Sequence, residues 1–419
     1  MTIGIVAEFN PFHNGHKYLL DSIKAKYSES TIVVAMSGDY VQRGEGAIID
    51  KYKRTSMALS ENVNLILQIA TKFSLSSASY FAFASINSLI KLGADKIIFG
   101  MESDNIENLV KIAKLLNDES PEFSESIKTF INEGYSYPKS RMLALSSIYG
   151  EDLAKETTRS NNVLAIEYIR QILKYNKEHK ANISFEGIKR LGQDFNDEEI
   201  KEKLTSATAI RNSLYKKDIK IIKGHTNEFT YNILEDSFNK NELIFIDDFS
   251  DLLYFKLLDL CKYNKDEAIK ALLEFNDLSE FLAASIYTKF ISWGENKKED
   301  NSTFSFKICD FIDALKSKTY TYSRISRCLF CIILGIKKTD VKEELAFIKV
   351  LGFDKKGQAL LSAVKKSLDL ELITKNSKGK DNKEFLEEMY MSDLYNNVLG
   401  RKAGKIPERE IRKAIVKEN

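Results

Sequence analysis

Ile3-Gly4-Ile5-Val6-Ala7, followed at once by Glu8-Phe9-Asn10-Pro11-Phe12-His13-Asn14-Gly15-His16, is the stretch that decides the fold. Five consecutive apolar residues read as a short strand buried on both faces. Asn10 before Pro11 predicts a helix start, with Asn10 as the N-cap and Pro11 at the first helical position. On that reading His13 and His16, three apart, share one face of the first turns. A helix N-terminus just beyond the carboxyl end of a strand attracts phosphate through its free N–H groups and its dipole. Two imidazoles there can donate hydrogen bonds to phosphate oxygens as charge grows on them. Gly15 clears space for a nucleotide.

Outward from this turn the pattern repeats. Further strand candidates are Thr31–Met36 (TIVVAM), Val63–Ile69 (VNLILQI), Lys96–Phe99 (KIIF) and Asn182–Phe185 (NISF). Between them lie helical patterns at about 14–27, 51–61, 76–92, 105–117 and 160–177. Short apolar strands separated by helices require a parallel sheet covered on both faces. The N-terminal part, residues 1–220, therefore reads as a doubly wound, Rossmann-like α/β domain. After about residue 230 the strand signal fades, and segments such as LSEFLAASIYTKFISW and SRISRCLFCIILGI carry apolar residues at helical spacing. Residues 228–419 are expected to form a mostly helical domain, joined through the polar stretch 216–227 and ending in a basic tail beyond Arg401.

Composition removes other classes. Hydrophobic residues make up 43% of the 419 and charged residues 29%, which fits a soluble globular chain. The formal net charge of +2 leaves no chain-wide basic field to advertise nucleic acid, so any such surface must be local. Cys261, Cys309, Cys328 and Cys331 read as core thiols; only the last two are closely spaced, and no second Cys or His pair follows them. The apolar runs are too short to span a bilayer and no secretory leader is recognisable, so the expected location is the cytoplasm, with no membrane partner.

A second constellation is Thr205-Ser206-Ala207-Thr208-Ala209-Ile210-Arg211-Asn212. Ser206 or Thr208 can cap a helix there, its N–H groups can face β and γ phosphates, and Arg211 can neutralise leaving pyrophosphate. Arg43 follows strand 2 while Asp50, Lys51 and Arg54 open the next helix, which places all four at the pocket mouth or in a solvated loop. Gly100 at a strand's carboxyl end suits adenine docking or a plain turn. Asn161 and Asn162 begin a helix and could be caps. In the helical half, Lys318, Tyr320, Tyr322, Arg324 and Arg327 combine aromatics with cations. Arg324 and Arg327 could grip successive phosphates while Tyr320 or Tyr322 stacks a base; the alternative is a solvated helix with its tyrosines packed inward.

The H-x-G-H turn paired with S-x-T-x-x-R resembles the signatures of nucleotidyltransferases and class I synthetases. The wording of GIVAEFNPFHNGHKYLL, SGDYVQRGEGAIIDKYKRTSMAL, GADKIIFGMES, SNNVLAIEYI, SATAIRN and TYTYSRISRCLFCIILGI, in this order, is similar to the bacterial tRNA(Met) cytidine acetate ligase family. That resemblance implies an enzyme that uses ATP, with Mg²⁺ on the triphosphate, and acetate to make acetyladenylate. It then acetylates N4 of the wobble cytidine of elongator tRNA(Met), forming N4-acetylcytidine. The implied catalytic residues are His13, His16 and Arg211. The implied ATP site is Val6-Ala7-Glu8-Phe9-Asn10-Pro11-Phe12-His13-Asn14-Gly15-His16-Lys17-Tyr18-Leu19-Leu20, with Gly100, Asn161 or Asn162, Arg190, Ser206 and Thr208. The sequence departs from the family pattern at Gly192-Gln193-Asp194-Phe195, close to Arg190. Two rival readings share parts of the motif set: a small-molecule adenylyltransferase of cofactor biosynthesis, and a catalytically idle RNA-binding protein with this fold.

Overall fold

Strand β1 (Thr2–Ala7) sits centrally, parallel to β2 (Thr31–Ser37) on one side and to β6 (Lys96–Met101) on the other. The computed structural model describes residues 1–190, 205–293 and 305–418. β2 continues to β5 (Leu65–Ile69), and β6 to β7 (Ser184–Lys189), all parallel. Between them β3 (Tyr40–Val41) and β4 (Glu45–Gly46) form a separate antiparallel hairpin. Five strands thus fall where the apolar runs place them, and the alternation of buried side chains explains the two-sided cover. Ile5, Val34, Ile66 and Ile98 pack on one face with Leu20 and Ile23 of α1 (Asn14–Lys26) and Met57 of α2 (Lys51–Leu59). Val33, Leu67, Ile97 and Phe99 pack on the other, with Phe81 and Leu89 from helix 78–91 and Ile169 from helix 160–179. Each such side chain, fully buried, is worth about 1.5–3 kcal/mol.

The chain lays down β1, β2 and β5 in one direction and then β6 and β7 in the other, so the order reverses at β1. A crevice forms at such a reversal because the connections leave on opposite faces, and ligands of doubly wound sheets bind there, outside the carboxyl ends.

The division expected at 220–228 does not coincide with the sheet. β8 (Phe347–Phe353) joins it antiparallel to β5, and β9 (Glu371–Ile373) and β10 (Val416–Lys417) pair with β8, giving eight strands. The strand FIKVLGF escapes a reading by apolar runs because Lys349 interrupts it. Lys349 is 1% exposed, and its ammonium lies 2.6 Å from a Glu410 carboxylate oxygen. Lys51, also 1% exposed, ion-pairs with the same carboxylate at 2.9 Å and with Asp39 at 2.9 Å. Burial penalises the Glu410 charge, but the two ammonium groups outweigh it and hold the carboxyl well below its usual range. Burial, then the neighbouring Lys51 charge, pushes Lys349 down to about 8.

The remainder of the C-terminal half is helical. Its core gathers Leu253, Leu282, Phe311, Leu329 and Ile332, and it takes in Tyr40 from the β3 hairpin. Cys261, Cys309, Cys328 and Cys331 are free thiols. Among the described residues no helix is long and apolar enough to cross a membrane.

Removing Glu410 would leave the buried Lys349 ammonium without its carboxylate and Lys51 with Asp39 alone. Glu410→Ala should cost about 3–5 kcal/mol, the usual penalty for breaking a buried pair. In the wild type the Glu410 contribution is present above the unfolded carboxyl pKa of about 4.3 and lost as pH falls below it. Denaturant titration of both proteins at neutral pH checks the magnitude, and a loss below about 1 kcal/mol would refute it.

Candidate active site

α1 begins later than Asn10-Pro11 suggests. The Asn10-Pro11 bond is cis, and the chain turns back before entering the helix at Asn14 with His13 as N-cap. Asn10 faces inward instead, its Oδ1 accepting the Ile48 N–H at 2.8 Å. His13 and His16 make a reciprocal cap. The Gly15 N–H donates to His13 Nδ1 at 3.0 Å, and the His13 N–H donates to His16 Nδ1 at 3.2 Å. The two rings lie 3.9 Å apart, with His16 also edge-on to Phe9 at 4.9 Å.

That geometry fixes the chemistry of the pair. A ring whose Nδ1 accepts a backbone N–H carries its proton on Nε2 while it stays neutral, so each His presents Nε2–H as a donor. Burial, then the Arg190 and Arg211 charges, pushes His13 down to about 3. Burial and the neighbouring His13 lower His16 well below its ordinary value too. At Gly15 a Cβ would stand 2.8 Å from His13 Cε1, so glycine makes room for the capping ring.

Four elements converge on this turn. Arg211 enters from helix 207–215, where Ser206 is the N-cap, accepting the Ala209 N–H at 3.1 Å; Thr208 lies in the first turn. Arg211 donates to the Asn10 carbonyl at 2.8 Å and lies 3.3 Å from Glu45 on β4. Arg190 directly follows β7, which runs to Lys189, beyond the Phe185 at which the apolar pattern stops. Its side chain lies over Gly100, where a Cβ would approach its Cγ to 3.2 Å, and it donates to Asn161 Oδ1 at 3.5 Å. Asn162 is fully buried and committed elsewhere: its Oδ1 accepts from Glu102 and Ser103 N–H groups at 2.8 and 3.2 Å, and its amide donates to Glu156. Of the two asparagines, Asn161 is the one beside the crevice. Glu8, half-buried just beyond the end of β1, accepts the Gln42 N–H at 2.6 Å; burial pushes its pKa up, with that hydrogen bond, Arg211 and Arg43 opposing.

Other expected site residues fall away from the crevice. Arg54 is wholly buried and donates to the carbonyls of Glu8, Ser37, Gly38 and Ile49, tying strand ends together. Lys51 belongs to the Glu410 network, and Asp50 caps α2 by accepting from Tyr52 and Lys53 N–H groups. Only Arg43 of that quartet faces the Glu8, Glu45 and Arg211 charges. A grip on RNA by the 318–327 segment is likewise not what the structure displays. Tyr320 is 6% exposed, its hydroxyl 2.5 Å from Ser279; Tyr322 contacts Cys309; and Arg324 pairs with Asp277 at 3.1 Å. Arg327 donates to the Gln42 carbonyl at 3.2 Å, and Ser326 donates to the Gly44 carbonyl at 2.5 Å. Gly44 has φ +87°, and a Cβ would sit 2.4 Å from the Arg327 nitrogen, so glycine is required where the hairpin presses on that helix. The segment thus holds the Arg43 hairpin in place, exposed Lys318 apart. Glu45 and Glu102 also join the site; no local pattern assigns them a role, although both stand in motifs already notable, QRGE and GMES. Gly192-Gln193-Asp194-Phe195 lies outside the described residues.

The family model described as HIGH Nucleotidyl Transferase matches residues 1–408. The tRNA(Met) cytidine acetate ligase of Thermosipho africanus is 36% identical over 383 residues, covering 90% of this chain and 85% of that protein. The protein of that name from Fervidobacterium nodosum is 33% identical over 417 residues, 98% of this chain and 88% of its own. The chain belongs to the tRNA(Met) cytidine acetate ligase family. Among solved structures, Thermotoga maritima TmcAL in its apo form is similar at 28% identity with a TM-score of 0.86, covering 99% of both chains. TmcAL bound with alpha-thio ATP is similar at 27% identity with a TM-score of 0.83, covering both chains fully. The carboxyl-end crevice, with its two imidazoles and two arginines, is therefore framed by a family-wide fold.

Both imidazoles should remain neutral Nε2–H tautomers between about pH 5 and 8, which ¹⁵N ring shifts can read directly. Because the unfolded chain takes up these protons near pH 6.5 while the native state does not, native stability should fall as pH drops below about 6.5 toward His13's value of about 3. Titration of either ring near its ordinary pKa of about 6.5 in the folded protein would contradict the arrangement.

Proposed function

We propose that this protein activates acetate with ATP and transfers the acetyl group to N4 of the wobble cytidine of elongator tRNA(Met). The observation that carries the reading is the pair of neutral, mutually capped imidazoles flanked by Arg190 and Arg211 at the reversal point of the sheet. The names of the curated relatives and the ATP analogue on TmcAL support it. They do not favour the cofactor-adenylyltransferase or idle-binder readings.

In the first step a carboxylate oxygen of acetate attacks the α phosphorus and the bond to the bridging oxygen breaks, releasing pyrophosphate. His13 and His16 donate Nε2–H bonds to phosphoryl oxygens, which gain charge in the transition state. Arg211 and the N-terminus of helix 207–215 take the leaving group. Arginines supply net positive charge here, and the neutral imidazoles supply direction at little electrostatic cost beside them. Arg190 and Asn161 hold the nucleotide over Gly100. In the second step the cytosine amine attacks the acetyl carbon, loses a proton, and AMP leaves. The reacting base must be splayed from the anticodon to reach the crevice. Mg²⁺ enters with the triphosphate as part of the substrate. Among the described residues no group of three or more His, Cys, Asp or Glu could hold a metal ion.

ATP–pyrophosphate exchange should depend on acetate and proceed without tRNA. His16→Ala should lower that exchange by about 10²-fold or more, the usual cost of one preorganised donor, and lower the melting temperature only modestly, since losing a helix cap costs about 0.5–2 kcal/mol. Exchange driven by a phosphorylated metabolite, with acetate inert, would overturn the assignment. A variant with normal exchange and a much lower melting point would make His16 a purely structural residue.

A further inference from the structure

A second concave surface lies at the opposite edge of the sheet. Between helix 355–364, the turn after β9 and the segment leading into β10, a cleft of about 500 Å³ is lined by Lys365, Lys375, Lys378, Arg412, Lys413 and Lys417. Among the described residues no acidic side chain lines it, and its floor is apolar, with Phe353, Leu361 and Leu372. Lys413 donates to Asn396 at 2.8 Å, and Lys417 lies 5.9 Å over the Phe353 ring. Lys365, Lys375, Lys378 and Arg412 are exposed side chains with no ion-pair partner among the described residues. In a chain whose formal charge nearly cancels, four exposed cations around one hollow, with Lys413 and Lys417 also in its lining, are a local exception.

The walls of this hollow are fixed. Asn376 is buried and donates to the Glu410 carbonyl at 2.6 Å and the Lys413 carbonyl at 3.2 Å, clamping the two lining segments together. Glu410 is itself anchored by Lys51 and Lys349. Preorganised positive charge of this kind costs stability through self-repulsion unless an anion uses it.

We infer that the cleft is a docking surface for the phosphate backbone of the RNA substrate; this rests on the function proposed above. Its position suits that role. β8 lies three strands from β1, about 14 Å across the sheet, and because β8 runs antiparallel to β5 its Phe353 end also stands toward the amino ends of the parallel strands, so the cleft is farther than that from the histidine crevice. A small substrate would have no reach to it, whereas a folded RNA with one base in the crevice covers such a distance with its backbone. Cations above an apolar floor also fit unpaired nucleotides, whose phosphates need charge and whose bases need a surface to lie on. This surface takes over the part expected of the 318–327 segment, and the basic tail beyond Arg401 contributes one of its walls.

The test is a quadruple Lys365→Ala, Lys375→Ala, Lys378→Ala, Arg412→Ala variant of the full chain. Binding of elongator tRNA(Met) transcript, titrated at several salt concentrations, should weaken at least about tenfold near 0.1 M salt. The slope of log affinity against log salt should become shallower by about 0.7–0.9 for each phosphate that the variant no longer neutralises. Acetate-dependent ATP–pyrophosphate exchange should be unchanged. Unaltered tRNA affinity and salt slope in a variant with wild-type exchange would overturn the docking surface. Equal weakening toward free AMP and inorganic phosphate, with tRNA unaffected, would overturn it in favour of a small-anion site. If wild-type protein lacked acetate-dependent exchange, the proposed function would fail by itself, whatever the tRNA titration gave.

Discussion

One carboxylate holds the two ends of this chain to its middle. Glu410 is 0% exposed and receives ammonium groups from Lys51, at the start of α2, and Lys349, in the centre of β8. Neither lysine could be buried alone, since an unpaired charge in a low-dielectric interior is prohibitively expensive. The docking of the tail and the burial of Lys349 in β8 beside β5 therefore depend on each other. With the tail docked, Asn376 clamps the adjoining segments, and Tyr52 donates its hydroxyl proton to the same Glu410 carboxylate at 2.7 Å.

A second constraint operates at the far end of the same helix–sheet layer. The histidine pair acts as cap to its own helix, so the two imidazoles of the crevice are also the groups that begin α1. Side chains that already satisfy backbone donors through Nδ1 have little freedom to rotate, and this leaves Nε2–H aimed by the fold itself. Burial first, then the Arg190 charge beside both rings and Arg211 beside His13, lowers the affinity of the rings for protons, which separates the two tasks of charge and direction between different residue types. The Arg43 hairpin, pressed down by Arg327 and Ser326, adds Glu45 as a partner that keeps Arg211 extended toward the Asn10 carbonyl.

What was legible in the sequence follows from range. β1, β2, β5, β6 and β7 announce themselves because each is a short apolar run with helices between, and the His13, His16, Ser206 and Arg211 motifs stand at the ends of those elements. Asn10-Pro11 misleads because the sequence pair is equally suited to a turn, and only the docking of Asn10 onto Ile48 decides between the two. Lys51, Arg54 and Arg327 look like site cations because a charged side chain is ordinarily exposed. Their partners, Glu410, Gly38 and Gln42, are distant in sequence or presented as backbone carbonyls, and carry no local signature. β8 was hidden for the same reason, since Lys349 breaks an apolar run whose compensation arrives 61 residues later.

The two halves are consequently not separable in function. The helical half supplies Ser326 and Arg327 to fix the hairpin beside Arg211, and the hairpin supplies Tyr40 to the helical core, its hydroxyl donating to the Met391 carbonyl at 3.0 Å. Tyr395 returns the bond by donating to the Ala47 carbonyl at 2.7 Å. A displacement of helix 383–403 would therefore be felt at Glu45 and Arg211 through rigid, buried contacts. The same helix also presents Glu388 to Gln68 and Thr71 at the carboxyl end of β5. An RNA seated on the basic cleft would press on elements bolted to this helix through Asp393, which accepts from the Arg409 guanidinium and the Glu410 N–H. The outer edge of the sheet and the crevice thus share helix 383–403 as a common neighbour, reached at the edge through the exposed Arg409–Asp393 pair and at the hairpin through the buried Tyr40 and Tyr395 hydroxyls.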